Sequence, residues 1–130
     1  MNTPVLVPLR ILIAEAHPIE ALGLADLLHK LGYVLVASVA SGQEAILAAG
    51  EHQPDLLLMD VDLRGDIDGI TAAIEIHTRL GIRSVVLAEH CDRTVQARAV
   101  EAAPVAVLDK TSSMSVIADA LRAAPRRLIH

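Results

Sequence analysis

The chain reads as an α/β domain of five consecutive βα units, a doubly wound five-stranded parallel sheet with helices on both faces. Three observations predict it. Short apolar runs rich in β-branched residues alternate with amphipathic stretches along the whole chain. Cap and turn residues punctuate the junctions between them. The run Leu56-Leu57-Leu58-Met59 is apolar at every position instead of at alternate ones, which marks a strand covered on both faces.

The elements follow in order. Arg10-Ile11-Leu12-Ile13-Ala14 is the first strand; an acid and then Pro18 follow, and Pro18 suits the first turn of a helix. Leu24, Leu27, Leu28 and Leu31 share one helical face, and Gly32 ends it. Residues 33–39 read as the second strand. Ser41-Gly42-Gln43-Glu44 has capping-box spacing and opens a helix through Ala49. Pro54-Asp55 restarts the chain into the third strand, which ends in Asp60. A turn-rich loop over residues 64–69 precedes a helix over 70–80 closed by Gly81, and residues 84–88 form the fourth strand. Asp92 caps a helix through about Ala102, residues 105–108 form the fifth strand, and Ile117, Ala120, Leu121 and Ala124 stripe the last helix.

Composition narrows the function. A length of 130 residues suits one domain, and an apolar fraction of 53% excludes disorder. With no Trp, no Phe and one Tyr, the core is aliphatic and no stacking platform for bases or flat cofactors exists. A net charge of −5 and a pI of 5.6 argue against nucleic-acid binding. The basic cluster Arg122, Arg126 and Arg127 reads as a solvated chain end. Cys91 has no cysteine partner, which excludes an internal disulfide and fits a reducing compartment. The start lacks a basic leader, and no apolar run approaches the roughly 20 residues of a membrane span, so no membrane association and a cytoplasmic location are expected.

In a sheet of this kind, ligands sit beyond the strand C-termini. That edge gathers Glu15, Asp60, Ala88 and Lys110, each at or just past a strand end. A carboxylate with a second carboxylate and a lysine converging on it suits phosphoryl transfer: the carboxylate attacks, a divalent cation offsets charge, and the ammonium holds a phosphoryl oxygen. Asp62 and Glu89 are additional acids at this edge, read as solvated loop groups. His17 and His90 flank it as rim residues, with no spacing of a known ligand signature; His29, His52, His77 and His130 show no grouping.

At these residues the chain resembles the receiver domain of two-component response regulators. Residues 11–18 look like the family's first strand and acidic loop, residues 54–69 like its phosphoacceptor segment, and Asp109-Lys110 stands at its invariant lysine. The resemblance covers residues 9–124, leaving 1–8 and 125–130 as short tails with no output domain. It implies the flavodoxin-like, CheY-like three-layer sandwich and a phosphorylatable Asp60. It also implies a Mg²⁺ site sharing Glu15, Asp60 and the backbone carbonyl of Asp62, and a phosphoryl contact from Lys110. The implied partners are a histidine kinase or phosphotransfer protein and a second copy bound through the helix 4 to helix 5 face.

The variant is atypical. Ala16 stands where the family has a second acid, so Mg²⁺ binding is expected to be weakened but not abolished. Ala88 replaces a Thr or Ser, removing a charge-assisted hydrogen bond of about 1.5–3 kcal/mol from the phosphorylated state. Val107 replaces a rotating aromatic, and Thr111 replaces the proline after the lysine, which puts the loop geometry aiming Lys110 in question.

The leading expectation is a stand-alone receiver acting through contacts with an unidentified downstream protein, with no enzymatic activity beyond self-phosphorylation and autodephosphorylation at Asp60. The alternative is a pseudo-receiver that binds partners without phosphorylation. A remote alternative is a phosphohydrolase, because Asp60-Val61-Asp62 resembles the Asp-x-Asp motif of haloacid-dehalogenase-like phosphatases. A flavin or nucleotide binder lacks a Gly-rich phosphate loop.

Overall fold

The computed structural model describes residues 5–125 and 127–129. Five parallel strands, β2 (Arg10–Ala14), β3 (Val34–Val39), β4 (Leu56–Asp60), β5 (Arg83–Ala88) and β6 (Ala106–Asp109), form one sheet in the order β3-β2-β4-β5-β6. Helices α1 (Pro18–Lys30), α2 (Gly42–His52), α3 (Gly69–Leu80), α4 (Arg93–Ala99) and α5 (Met114–Arg122) supply the crossovers and the last βα unit. The expected doubly wound architecture is the one present.

Strand β4 is buried at all five positions, as its unbroken apolar run requires, and its alternating side chains feed two separate cores. Leu56 and Leu58 join Ile11, Ile13, Val85 and Leu87 under Leu24 and Leu28 of α1 and Ile117 and Leu121 of α5. Leu57 and Met59 join Leu12 and Ala14 under alanines of α2 and α3 together with Ile76. The second core is alanine-rich, and small side chains there allow α2 and α3 a close approach to the sheet.

Local signals act as read. Ser41 Oγ accepts from the Glu44 N–H at 3.1 Å, and Asp92 Oδ1 accepts from the Val95 N–H at 2.9 Å. Gly81 ends α3 at φ +71°, where a side chain would be strained. Three details differ. The helix opened by Ser41 runs to His52, turned by Gln53 at φ 46°. The segment after Asp92 relaxes from α to 3₁₀ over Val100–Ala102. Tyr33 is buried ahead of β3, which is an exposed edge strand.

The segments expected as tails are paired where they are described: β1 (Val5–Val7) and β7 (Arg127–Ile129) form a two-stranded antiparallel ribbon, Val5 opposite Ile129. Apolar, β-prone ends brought together by a compact fold favour this pairing over solvation. Residues 1–4, 126 and 130, part of the same expectation, lie outside the described residues.

Candidate functional site

Strand ends deliver the site. Asp60 is the last residue of β4 and is 1% exposed. Glu15 directly follows β2, its N–H bonded to the Val39 carbonyl at 2.9 Å, and is 3% exposed. Lys110 directly follows β6, its N–H bonded to the Ala88 carbonyl at 2.7 Å. Adjacent strands β2 and β4, with β6 one strand further across β5, end at the same sheet edge and so bring two buried carboxylates and one ammonium to a common point. Gly69, at the start of α3, sets how close that helix comes: its N–H donates to the Val61 carbonyl at 2.8 Å, and an added Cβ would collide with the Asp60 carbonyl oxygen.

Lys110 Nζ lies 2.6 Å from Asp60 Oδ2 and 3.3 Å from Glu15 Oε1. The expected convergence is present, although Thr111 follows the lysine. Burial pulls the ammonium's pKa down, but the facing carboxylates of Asp60, Glu20 and Glu15 outweigh it, and Lys110 is held protonated well above its ordinary value. Glu15 moves upward from the usual carboxylate range, chiefly through burial and further through neighbouring Asp60, despite the His17 N–H that donates to its Oε2 at 3.0 Å. Asp60 Oδ1 accepts from the Asp62 N–H at 3.1 Å, leaving Oδ2 to face the lysine.

Two further groups complete the cluster. His17, expected at the rim, has Nδ1 3.1 Å from Glu15 Oε2. Glu20, missing from the residues singled out in the sequence, places Oε2 2.8 Å from Lys110 Nζ and 3.4 Å from His17 Nδ1. Its carboxyl is held below the usual range, first by the Lys110 contact. A signal existed: Pro18 at the first helical position puts Glu20 in the first turn of α1, and that turn packs at the same edge as Glu15.

The remaining expected positions surround this cluster. Asp62, Glu89 and Thr111 line a cleft of about 310 Å³ together with His17, Glu20 and Lys110. His90 lines an adjacent hollow with Ala88, Glu89 and Asp92, away from the lysine. Ala88 is buried at the end of β5 and presents only a methyl group. Ala16 is half-buried beside Glu15, and Val107 is half-buried on the edge strand β6.

The residues present fit a divalent cation. Glu15 Oε1 and Asp60 Oδ2 are buried and, among the described residues, are met only by the Lys110 ammonium, and paired carboxylates of this kind are hard ligands for Mg²⁺. One ligand atom from each of Glu15, His17, Glu20 and Asp60 lies within 4.8 Å of the others.

Residues 11–122 match the family model of the response regulator receiver domain. The chain belongs to that family. It is 39% identical over 121 residues to the transcriptional regulatory protein PdtaR of Mycobacterium tuberculosis, an alignment covering 93% of this chain and 58% of that protein. It is 35% identical to the transcriptional regulatory protein LiaR of Bacillus subtilis, over 91% of this chain and 56% of that one. The receiver thus spans somewhat over half the length of these relatives. Among solved structures, a LuxR-family two-component response regulator from Aurantimonas superposes with a TM-score of 0.82 at 28% identity, covering 90% of this chain and 84% of that one. A signal receiver domain of a modulated diguanylate cyclase from Desulfovibrio desulfuricans matches with the same TM-score at 24% identity, over 91% and 94% of the two chains, and shares the fold. No helix among the receiver's described residues is long and apolar enough to cross a membrane.

Proposed function

We propose that this receiver accepts a phosphoryl group on Asp60 from a histidine kinase or phosphotransfer protein and passes the signal on by protein contact. The observation that carries the reading is the Asp60 carboxylate, buried at a strand end and facing Lys110 at 2.6 Å beside Glu15. In the step itself, a carboxylate oxygen of Asp60 forms a bond to phosphorus while the bond from phosphorus to the donor's imidazole nitrogen breaks; the departing imidazole keeps the electron pair and takes up a proton. Lys110 is positioned to hold an equatorial phosphoryl oxygen. Glu15, Asp60 and the Asp62 carbonyl would hold Mg²⁺, which supplies offsetting charge for the transferring group. The face of α4 and α5, which exposes Val116 of α5 and Val100 in the 3₁₀ turn after α4, is the candidate surface for a second copy.

A second reading, a pseudo-receiver binding partners without phosphorylation, draws on Ala16, Ala88 and Val107 together. It is also served by Lys110, which already offsets the buried acids. The phosphohydrolase reading finds less support, because Asp62 is exposed and contributes its backbone N–H to Asp60.

Intact-mass measurement after incubation with acetyl phosphate and Mg²⁺ separates the first two readings. One added phosphoryl group in the wild type and none in Asp60→Asn is expected. An unchanged wild-type mass, repeated with a panel of histidine kinases, would leave the pseudo-receiver standing.

A further inference from the structure

We propose that the cation site of this receiver is completed from the start of α1, by the Glu20 carboxylate and the His17 imidazole, and therefore prefers an imidazole-accepting transition dication such as Zn²⁺ to Mg²⁺. The inference deepens the cation part of the proposed function and is independent of phosphoryl acceptance.

Ala16 leaves the loop after β2 with a single carboxylate, Glu15. The next turn of chain makes good the deficit. Glu20 Oε2 and His17 Nδ1 lie 3.4 Å apart, and with Glu15 and Asp60 they offer three carboxylates and one imidazole within 4.8 Å of one another. Bonds of about 2.0–2.2 Å to one ion put opposed ligand atoms roughly 4 Å apart, so little movement separates this set from a coordination sphere.

The chain itself marks the point where an ion would sit. Lys110 Nζ is 2.6 Å from Asp60, 2.8 Å from Glu20, 3.3 Å from Glu15 and 3.4 Å from His17 Nδ1. The buried carboxylates aim at the same place: Glu15 Oε1 and Asp60 Oδ2, both on side chains at most 1% exposed, face the Lys110 ammonium and, among the described residues, have no other partner. The lysine stem is long and its head reaches the cleft, so the ammonium can swing outward and leave the four ligands to a metal.

The donor set decides the metal. Mg²⁺ is satisfied by oxygen and water and gains little from an imidazole, whereas Zn²⁺ takes mixed nitrogen and oxygen ligands readily. His17 is therefore the discriminating residue, and Glu20 the one that serves either ion.

Isothermal titration of the full chain with Zn²⁺ and with Mg²⁺, without phosphodonor, tests this on the wild type, His17→Ala, Glu20→Gln and Asp60→Asn, with folding followed by circular dichroism. Asp60→Asn identifies the isotherm that belongs to this site. The expected result is Zn²⁺ binding that weakens by about tenfold or more in His17→Ala while Mg²⁺ binding is unchanged, with both ions weakened in Glu20→Gln. Zn²⁺ affinity indifferent to His17 and Glu20 but dependent on Asp60 would overturn this inference and leave the Glu15–Asp60 site of the proposed function intact. No Asp60-dependent binding of either ion would overturn both.

Discussion

A single missing side chain fixes the height of Asp60. Gly69 lies so close to the end of β4 that any Cβ would overlap the Asp60 carbonyl oxygen, and the obstacle is backbone, which cannot rotate aside. Gly69→Ala is therefore expected to cost about 3 kcal/mol in urea unfolding and to lower phosphoryl incorporation with it, because the strand end carrying Asp60 must move. Gly50 supplies the contrast: nothing lies within 4 Å of its added Cβ, and it sits within α2, so Gly50→Ala should gain about 0.5–1 kcal/mol through a less flexible unfolded chain. Equal effects at the two glycines would refute the steric account. At this scale the sequence was most informative where a residue's position along a strand determined its place. Asp60, Glu15 and Lys110 were legible because each terminates or follows an apolar run. Glu20 was legible only as a first-turn acid of α1, because its reach toward Lys110 depends on how α1 leaves the sheet edge.

Among the elements, α3 shows how one residue can serve two structures. Asp68 caps α3 through the Thr71 N–H at 2.9 Å and also pairs with Arg98 of α4 at 2.8 Å, tying the helix after the Asp60 loop to the helix after β5. Partial burial pushes its carboxyl up, but Arg98 and Thr71 outweigh burial and hold it below the ordinary value of 3.8. The sign of the linkage follows. A depressed folded pKa contributes stability that is present above the unfolded value near 4 and is lost as pH falls through the lower folded value. Both side chains are substantially solvated, so the ion pair contributes about 0.5 kcal/mol after screening. Asp68→Asn should keep the cap and lose this pH-dependent part, giving variant and wild type the same stability near pH 2 and a gap of about that size at pH 7, read by urea unfolding. A gap that persists at low pH would assign the effect to the cap. The loop over 64–69 was legible as turn-rich, but Asp68 was not singled out as a cap. Several Asp and Gly residues compete for that role there, and where α3 starts, at Gly69, selects among them.

Across the whole molecule, the unbroken run of β4 and the cap signals made the doubly wound sheet readable. The pairing of β1 with β7 was not, because it joins segments from opposite ends of the chain that carry no mutual pattern. The same long-range view bears on how a signal leaves the site. In this receiver the end of β5 offers a methyl group at Ala88, which cannot follow a phosphoryl oxygen, and β6 carries Val107, which has no ring to reorient. The groups that do touch the site are elsewhere: Lys110 binds Asp60 and Glu20 together, and Glu20 and His17 belong to the start of α1, next to the exposed Ile19. A phosphoryl group at Asp60 would draw Lys110 toward its own oxygens and change the charge facing Glu20 and His17 in the first turn of α1. The switch is thus expected to be felt on α1 instead of on the α4–α5 face. Amide NMR of the Mg²⁺ form with and without beryllofluoride reads this directly. Saturable shifts in residues 15–22 and 60–69, absent in Asp60→Asn, with residues 106–108 and 114–122 unmoved, are the expected outcome. Shifts that instead spread through β6 into α5 would mean that the protein couples its site to that face without hydroxyl or ring, and the α1 route would have to be abandoned.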